Sequence, residues 1–253
     1  MRRRQFAALG AGGATTLAWS RRSPAQQSAK LPRIGWLWNG RSAGNPQEVS
    51  GFREGLKEFG YVDGQNVLVD YRFSEGQPAR IPPLAAELMR LRPDVLVAFG
   101  TAVVGTIKGT TGDLPVVSLS GNPVGASFIA SLAHPGGHIT GVSMMQGQEG
   151  LTGKRIELLP EMAAQFLQRR LPVVSELRLL VETGGLLSYG PSIFDASRRL
   201  VYFVDRILKG TKPADLPVEQ ASKIELLVNL KTARLLNIAL PQILLAGADE
   251  VLE

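Results

Sequence analysis

The sequence predicts an α/β protein, with a doubly wound parallel-sheet lobe in its first half and a shorter α/β lobe in its second. From Pro32 onward, short apolar runs of strand length alternate with amphipathic stretches of helical period. This alternation is typical of a parallel sheet covered by helices on both faces. After residue 145 the same pattern yields fewer strands. We therefore expect a complete sheet in the first lobe and a truncated one in the second.

Five strands and four helices are predicted in the first lobe. The strands span residues 33–38, 66–71, 94–99, 115–119 and 138–143, and the helices span residues 47–59, 83–91, 101–108 and 124–132. The first helix shows the pattern clearly, because Val49, Phe52, Leu56 and Phe59 share one apolar stripe. Gly60 then stands where helices commonly end in a left-handed residue. In a doubly wound sheet, ligands bind at the carboxyl ends of the strands.

The second half is predicted to contain more helix than strand. Its helices span residues 154–162, 165–170, 176–182, 192–208 and 231–236, with a last short helix after Pro241, and its strands span residues 171–174, 186–190 and 224–230. The helix over 192–208 is the longest, and Gly210 ends it. The whole sequence is therefore predicted to divide into three parts. They are a signal peptide at 1–25, a first lobe at 26–145, and an abbreviated second lobe with a C-terminal crossover segment at 146–253.

Residues 1–25 have the layout of a bacterial secretion signal. Arginines at positions 2–4 precede a weakly apolar stretch of about 14 residues at 6–19, and small residues surround Ala25. That stretch is shorter than the roughly 20 residues that a spanning helix needs. We therefore expect export to the periplasm with removal of this segment, and no integral membrane protein. The arginines leave the twin-arginine and general secretory routes open, and those at 21 and 22 also leave open a tail on a cytosolic protein.

The net charge of +6 belongs mostly to this leader. Five arginines fall in the first 25 residues, which contain no acidic residue, so the remainder has 23 basic against 22 acidic residues. A basic surface for nucleic acid is therefore not expected. The chain also has no cysteine, which excludes disulfides, thiolate metal sites and a lipid-modified N-terminal cysteine.

The sequence contains no catalytic or metal-binding motif. Residues 100–105 have the glycine spacing of a phosphate-binding loop, but Thr106 stands where the lysine is required. His134 and His138 flank a Pro-Gly-Gly turn, so they do not share a helix face, and no nearby carboxylate completes a metal site. No serine lies in a Gly-x-Ser-x-Gly elbow. We therefore expect no enzyme, no cofactor and no metal.

Several segments spread over nearly the whole chain form a specific set. They are Pro32-Arg33-Ile34-Gly35, FREGLKEFGY at 52–61, Gly64-Gln65-Asn66, Gly121-Asn122-Pro123-Val124, SLAHPGG at 131–137, Gly153-Lys154-Arg155, GGLLSYG at 184–190 and KGTKPADLPVEQ at 209–220. With this set the chain resembles the ABC transporter substrate-binding proteins of the tryptophan/tyrosine type. The resemblance implies a two-lobed type I periplasmic binding fold. It also implies capture of a small molecule, an amino acid or related organic solute, for an ABC permease at the inner membrane.

The chain departs from this family where the second lobe begins. In the family, the helix that holds Gly153-Lys154-Arg155 leads into strand and helix units before the stretch that resembles residues 170–174. Here residues 161–166 join the two stretches directly. Because a βαβ unit takes roughly 30 residues, we expect that about two units, on the order of 70 residues, are missing. Two interpretations follow: a solute-binding protein, or a truncated remnant that binds nothing.

The ligand-binding residues are expected mainly in loops at the carboxyl ends of the strands. The candidates are Asn39, Ser42, Gly100, Thr101, Ser120, Asn122 and Tyr189. Gly100 and Thr101 open a predicted helix, whose free N–H groups favour an anionic group. Thr101 would equally fit the role of a simple N-cap.

Four aromatic or polar positions bear on the kind of ligand or leave alternatives open. Asn122 stands where related sequences often carry Asp, so a natural partner for a ligand ammonium is missing there. Trp36 and Trp38 lie on the same face of a predicted strand, and could stack on a ligand or belong to the core. Tyr189, at a strand end of the second lobe, has the same two interpretations.

Overall fold

Ten strands in the described part of the chain form two sheets. The computed structural model describes residues 30–43, 46–144 and 168–253. The strands are β1 (Arg33–Trp38), β2 (Leu68–Phe73), β3 (Val95–Phe99), β4 (Val116–Ser120), β5 (Ile139–Ser143), β6 (Val174–Ser175), β7 (Leu187–Pro191), β8 (Glu219–Gln220), β9 (Ile224–Asn229) and β10 (Glu250–Leu252). The helices are α1 (Gln47–Glu58), α2 (Ile81–Arg90), α3 (Thr101–Ile107), α4 (Arg178–Glu182), α5 (Ile193–Leu208), α6 (Leu230–Leu236) and α7 (Gln242–Ala246), with 3-10 turns at Pro78–Arg80 and Pro213–Asp215.

The larger sheet has six parallel strands in the order β2-β1-β3-β4-β5-β8. The order of its first five strands is that of a flavodoxin-like doubly wound sheet, in which the winding reverses between β1 and β3. All its strands run the same way, so the carboxyl ends of β3, β4 and β5 lie at one edge. That edge is where a ligand is expected in this class of fold.

Helices pack against both faces of the larger sheet, so its central strands are buried. Every residue of β3, β4 and β5 is buried. On one face, Trp36 and Phe52 share a core with Leu200 of α5. On the other face, Leu37 packs with Leu88 of α2. Burial of one such side chain stabilises the fold by about 1.5–3 kcal/mol.

Helices α1 and α5 approach closely where α1 carries two glycines. A Cβ atom at Gly51 would lie 2.2 Å from the carbonyl oxygen of Phe194, and one at Gly55 would lie 2.5 Å from the carbonyl oxygen of Arg198. Residues four apart share one face of a helix. Glycine lowers helix propensity by about 1 kcal/mol relative to alanine, and here that cost permits the close contact.

The smaller sheet has four strands in the order β10-β9-β7-β6. Strands β7 and β9 are antiparallel, and the other two pairs are parallel. Asn229, at the end of β9, accepts a hydrogen bond at Oδ1 from the Thr232 N–H at 2.9 Å, and its Nδ2 donates to the carbonyl oxygen of Val181 at 2.9 Å. This one side chain therefore caps α6 and ties it to α4.

The structure confirms the doubly wound parallel sheet and corrects the number of its strands. Six strands are present where five were predicted, because β8 joins the edge beside β5. With two residues, β8 is too short to produce a periodic pattern. Strand β10 was also not predicted, and it adds the fourth strand of the smaller sheet.

The helix predicted over 124–132 is wrong. This segment forms a series of turns, in which Ser127 has a left-handed φ of 56°. Asn122 Oδ1 accepts a hydrogen bond from the Gly125 N–H at 2.8 Å, which is the contact of a helix N-cap, but the left-handed Ser127 interrupts the backbone after this first turn. Strand β2 also begins two residues later than predicted. Asn66 is held in the preceding turn, where its Oδ1 accepts from the Val62 N–H at 2.7 Å.

Elements late in the chain return to the larger sheet. Helix α5 packs against α1 and against β3, β4 and β5, and β8 pairs with β5. The predicted lobe boundary after residue 145 stays a prediction. The predicted signal peptide at 1–25, the predicted helix at 154–162 and most of that at 165–170 lie outside the described residues. Within the described residues, no helix has both the length and the apolar character to cross a membrane.

Candidate functional site

A cleft of about 610 Å³ lies between the carboxyl edge of the larger sheet and the smaller sheet. Its volume is within the range of small-molecule sites, roughly 300–1,000 Å³. The larger sheet contributes Phe99, Gly100, Thr101, Leu119, Ser120, Gly121, Ser143 and Met144, and α1 contributes Gln47. The second wall consists of Glu176, Leu177, Arg178, Ser188, Tyr189, Gly190, Pro191, Ile193, Ala221, Ile224, Glu225 and Leu227.

Gly100 and Thr101 join two loops at the first wall. Gly100 is the N-cap of α3 and has a left-handed φ of 102°, which glycine adopts without strain. Thr101 is the first residue of α3, so it is not the N-cap. Its Oγ1 accepts a hydrogen bond from the Gly121 N–H at 3.1 Å, which ties the loop after β3 to the loop after β4.

Ser120 lines the cleft and has a hydroxyl group without a hydrogen-bond partner within the described residues. The residue is only 2% exposed. A buried hydroxyl without a partner costs about 1–3 kcal/mol relative to a satisfied one. The neighbouring Ser143 hydroxyl, in contrast, donates to the carbonyl oxygen of Gly121 at 2.7 Å.

The second wall is formed by facing positions of β7 and β9. In this antiparallel pair Ser188 lies opposite Leu227, and Gly190 lies opposite Glu225. Alternate residues of a strand point to the same face, so these four positions share one face of the smaller sheet. Tyr189 also lines the cleft and is 65% exposed. Its position between Ser188 and Gly190 directs its side chain to the opposite face of the strand.

Arg178 is the cationic side chain that lines the cleft within the described residues, and two carboxylates hold it. Its Nη1 and Nη2 donate to Glu250 at 2.7 and 2.8 Å, and its Nε donates to Glu182 at 2.6 Å. This bidentate contact lowers the pKa of Glu250 below its usual value. One cation between two carboxylates leaves the cluster with a net negative charge.

Glu225 is a positioned carboxylate in the same wall. Its Oε1 accepts a hydrogen bond from the Ser192 hydroxyl at 2.6 Å, and Ser192, the N-cap of α5, is 1% exposed. Lys223 lies 3.8 Å from Oε1 but contacts Asp195 more closely, at 2.9 Å. Within the described residues, hydrogen bonds therefore reach Glu225 at Oε1 and leave Oε2 available.

Glu48, next to the cleft residue Gln47, has a raised pKa. Burial is the largest cause, and the negative charge of Glu182 adds to it, while a bond to its own N–H and the charge of Arg178 oppose it. A carboxylate at the start of α1 is thus affected by charges at the ends of α4. The charges of Glu182 and Arg178 shift the pKa of Glu48 in opposite directions.

The structure brings four of the predicted site residues together. Gly100, Thr101, Ser120 and Tyr189 all line the cleft, and their role in binding stays a prediction. The sequence did not single out Glu225, Glu176 or Arg178. Only the pairing of β7 with β9 and the placement of α4 bring these charges to the cleft, and no local pattern encodes either.

The other three predicted site residues are not among the cleft residues, and each has a polar group that is hydrogen-bonded within the protein. The Asn39 Oδ1 accepts a hydrogen bond from the Ser74 hydroxyl. The Ser42 N–H donates to Glu75 Oε1 at 3.1 Å. The Asn122 Oδ1 accepts from the Gly125 N–H, as described above.

The two tryptophans of β1 pack away from the cleft. Trp36 is fully buried, and its ring centroid lies 4.7 Å from that of Phe52. Trp38 is partly buried and packs edge-on against Phe73 and Phe99. Of the two interpretations, the structure therefore supports the core.

The residues that the structure describes contain no group of three or more metal-ligating side chains. His138 Nε2 lies 3.2 Å from the Thr111 hydroxyl, so one of its two ring nitrogens has a hydrogen-bond partner. His134 is exposed in the Pro-Gly-Gly turn.

Comparison with known sequences identifies related proteins. The family described as ABC transporter substrate binding protein matches residues 43–166 and 162–252. A curated relative is the tyrosine-binding protein of Clostridioides difficile (strain R20291), which is 28% identical over 94 residues. This match covers 37% of the chain and only 27% of the relative's length.

Solved structures from three bacteria share the fold. A conserved domain protein from Vibrio cholerae has a TM-score of 0.74 at 21% identity, over 88% of this chain and 100% of its own. An ABC domain from Streptococcus pneumonia in complex with L-Trp has a TM-score of 0.73 at 22% identity, with the same coverage. The ligand-free, open structure of a Clostridium difficile substrate binding protein has a TM-score of 0.70 at 16% identity, over 88% of this chain and 99% of its own.

Proposed function

The chain belongs to the family of ABC transporter substrate-binding proteins, and we propose that it is the solute-binding component of an ABC-type importer. In this role it captures a small molecule, an amino acid or related organic solute, in the periplasm. It then presents the solute to an ABC permease at the inner membrane. The family is one of binding proteins, and no catalytic step is assigned to the chain.

The observation that carries this proposal is the cleft of about 610 Å³ with walls from both sheets. Two-sided enclosure is what allows a binding protein to exclude water around a solute and to close on it. The apolar side chains Phe99, Leu119 and Leu227 are almost fully buried at the cleft. They suit the apolar part of an organic solute, and the hydroxyls beside them suit its polar part.

Export is part of the proposal and rests on the first 25 residues. Their charged start, apolar stretch and small-residue exit support a cleaved signal peptide. The intact mass of material from a periplasmic fraction tests this step. A mature chain should begin near Gln26, whereas a mass that retains Met1 would contradict export with cleavage.

The alternative is a truncated remnant that binds nothing. A shortened second lobe is supported by the two family matches, which overlap at residues 162–166, because an uninterrupted relative would match in one stretch. The cleft favours a binding role nonetheless, since both of its walls are present in the described residues.

A thermal-shift screen of the mature chain over amino acids, amines, organic acids and sugars tests the binding function. A ligand at 100 times its Kd stabilises the native state by about 2.7 kcal/mol. For a chain of this size that corresponds to a rise in Tm of roughly 5–10 °C. Absence of any stabilising solute would favour the remnant.

Variants locate the site once a ligand is found. Thr101→Ala should weaken binding without unfolding the chain, because Thr101 lines the cleft. Tyr189→Ala, at an exposed position, tests whether this ring also contacts the ligand. Thr110→Ala is the matched control, since its hydroxyl donates to the Ile107 carbonyl oxygen and it does not line the cleft. Unchanged affinity in both cleft variants would place the site elsewhere.

A further inference from the structure

More negative than positive side chains line the cleft. The second wall presents Glu176 and Glu225 beside Arg178. The guanidinium of Arg178 uses three of its N–H groups on Glu250 and Glu182. A carboxylate on a ligand would therefore meet a cation that is already more than neutralised. It would also meet the repulsion of two cleft carboxylates.

Glu225 is the carboxylate best prepared to receive a cation. Ser192 fixes its Oε1 at 2.6 Å, so less conformational freedom is lost when a ligand binds. Its side chain is 23% exposed, which lowers the screening of its charge by water. Lys223 is 3.8 Å away and is shared with Asp195. A hydrogen bond between a ligand ammonium and the remaining oxygen would be charge-assisted.

A second and independent feature of the cleft suits a polar group on a ligand. The hydroxyl of Ser120 is buried at the cleft floor and has no partner within the described residues. Buried polar groups in native proteins are nearly always hydrogen-bonded. A polar group of the ligand would satisfy this hydroxyl, and the apolar side chains of Leu119 and Leu227 would cover the rest of the molecule.

We propose that the cleft selects organic amines, with Glu225 receiving the ammonium group, and that it discriminates against the same molecules when they also carry a carboxylate. This inference rests on the proposed solute-binding function and narrows its substrate class from organic solutes in general to organic cations with an apolar body.

Titration calorimetry on the mature chain with paired probes tests the inference. The pairs are tyramine with L-tyrosine, tryptamine with L-tryptophan and isoamylamine with L-leucine, and in each pair only the carboxylate differs. In at least one pair the amine should bind about tenfold more tightly, which corresponds to roughly 1.4 kcal/mol. The methyl ester of the preferred amino acid should behave like the amine, because its carboxylate is masked.

Variants assign the effect to particular side chains. Glu225→Gln should weaken amine binding about tenfold, whereas the matched change Glu58→Gln, in an exposed pair with Arg198, should leave it unchanged. Ser120→Ala should weaken binding while the free energy of unfolding of the ligand-free chain stays constant or rises, because an unsatisfied hydroxyl is removed. Circular dichroism confirms that each variant is folded. If Glu225→Gln does not fold, two tests still decide the question. One is the set of paired probes, and the other is Glu176→Gln, which changes the other cleft carboxylate at an exposed position.

The outcomes distinguish failure of the amine preference from failure of the proposed solute-binding function. If amino acids bind as tightly as their amines, or Glu225→Gln leaves amine affinity unchanged, the amine preference is wrong and the binding function stands. If the amines do not bind but another solute does, the amine preference is again wrong and the binding function stands. If no solute in the broad screen binds, the proposed function fails, and the inference fails with it.

Discussion

Helices cover both faces of the six-stranded sheet, whereas the four-stranded sheet is less well covered. In the larger sheet, β3, β4 and β5 are buried along their whole length. In the smaller sheet, the two-residue β6 lies at an edge and β10 is only partly buried. Of the large apolar side chains that are exposed, most belong to the second half: Leu171, Val174, Leu179, Tyr189, Ile224, Leu235 and Ile243.

The two regions also contribute different chemistry to the cleft. The larger sheet supplies hydroxyls and apolar side chains on rigid strand ends, and the smaller sheet supplies the charges of Glu176, Arg178 and Glu225. Stability is therefore concentrated in one region and charge selectivity in the other. A shortened second lobe would retain the fold while altering what the cleft selects.

The largest expected effect is the loss of a core leucine from the larger region. Leu200→Ala in α5 removes a fully buried side chain and should lower the free energy of unfolding by about 2–5 kcal/mol. Leu235→Ala in α6 is the matched change at a position that is 59% exposed, and should alter it by less than about 0.5 kcal/mol. Urea unfolding measures both. Equal losses would show that the two regions are equally well packed.

The next effect concerns the predicted loss of units from the second lobe. A chimaera that inserts the missing strand and helix units of a related protein between residues 161 and 170 should bind the solute at least about tenfold more tightly, or roughly 1.4 kcal/mol. The reason is that a complete second wall adds contacts and excludes water. Calorimetry on both chains in one buffer is the measurement. Equal affinity would mean that the present second wall is already sufficient.

Periodicity was enough to predict five of the six strands of the larger sheet, because these strands and the helices beside them are separated by clear turns. The stripe of Val49, Phe52, Leu56 and Phe59 identified α1, and its first three side chains are buried, whereas Phe59 is the C-cap and is 38% exposed. Periodicity failed where the backbone leaves the helical region. The run at 124–132 has helical spacing, but Ser127 has a left-handed φ of 56°, and the segment forms successive turns.

The candidate site was predicted mainly in its first wall, and Tyr189 is the one predicted residue of the second wall. Gly100, Thr101 and Ser120 lie at the ends of strands that meet at one edge of a parallel sheet. The sheet topology alone therefore predicts that these residues lie close together. Glu225 reaches the cleft only because β9 pairs with β7 in an antiparallel register that no short-range signal specifies. Arg178 lies in a five-residue helix, too short for its position to be inferred from a pattern.

A smaller effect is expected from pH, and it belongs to the smaller region. Arg178 holds the pKa of Glu250 below its ordinary value of 4.5, chiefly through their hydrogen bonds. A carboxyl with a lowered folded-state pKa stabilises the protein above its unfolded-state pKa, and this contribution is lost as pH falls through the folded-state value. Because the Glu250 side chain is 43% exposed, water screens the pair and the contribution is about 1 kcal/mol or less.

Glu250→Gln separates this contribution from those of other carboxyls. The variant should be less stable than the parent chain at pH 7, and the difference should shrink below pH 4.5. Glu58→Gln, in an exposed pair with Arg198, serves as the control and should show a smaller difference. A constant difference between pH 7 and pH 3 would mean that the Arg178 contact does not act through the charge of Glu250.

The smallest effect on stability should come from the exposed apolar side chains of the smaller region. Val174→Ser in β6 and Ile243→Ser in α7 change residues that are 62% and 84% exposed, so the free energy of unfolding should move by less than about 0.5 kcal/mol. Binding of a hydrophobic dye should nevertheless fall, because exposed apolar surface is what such a dye contacts. Val104→Ser, at a fully buried position in α3, is the contrasting change and should destabilise the chain strongly. A loss above about 1 kcal/mol in either exposed variant would mean that the side chain is covered in solution. The smaller region would then be better packed than its exposure indicates.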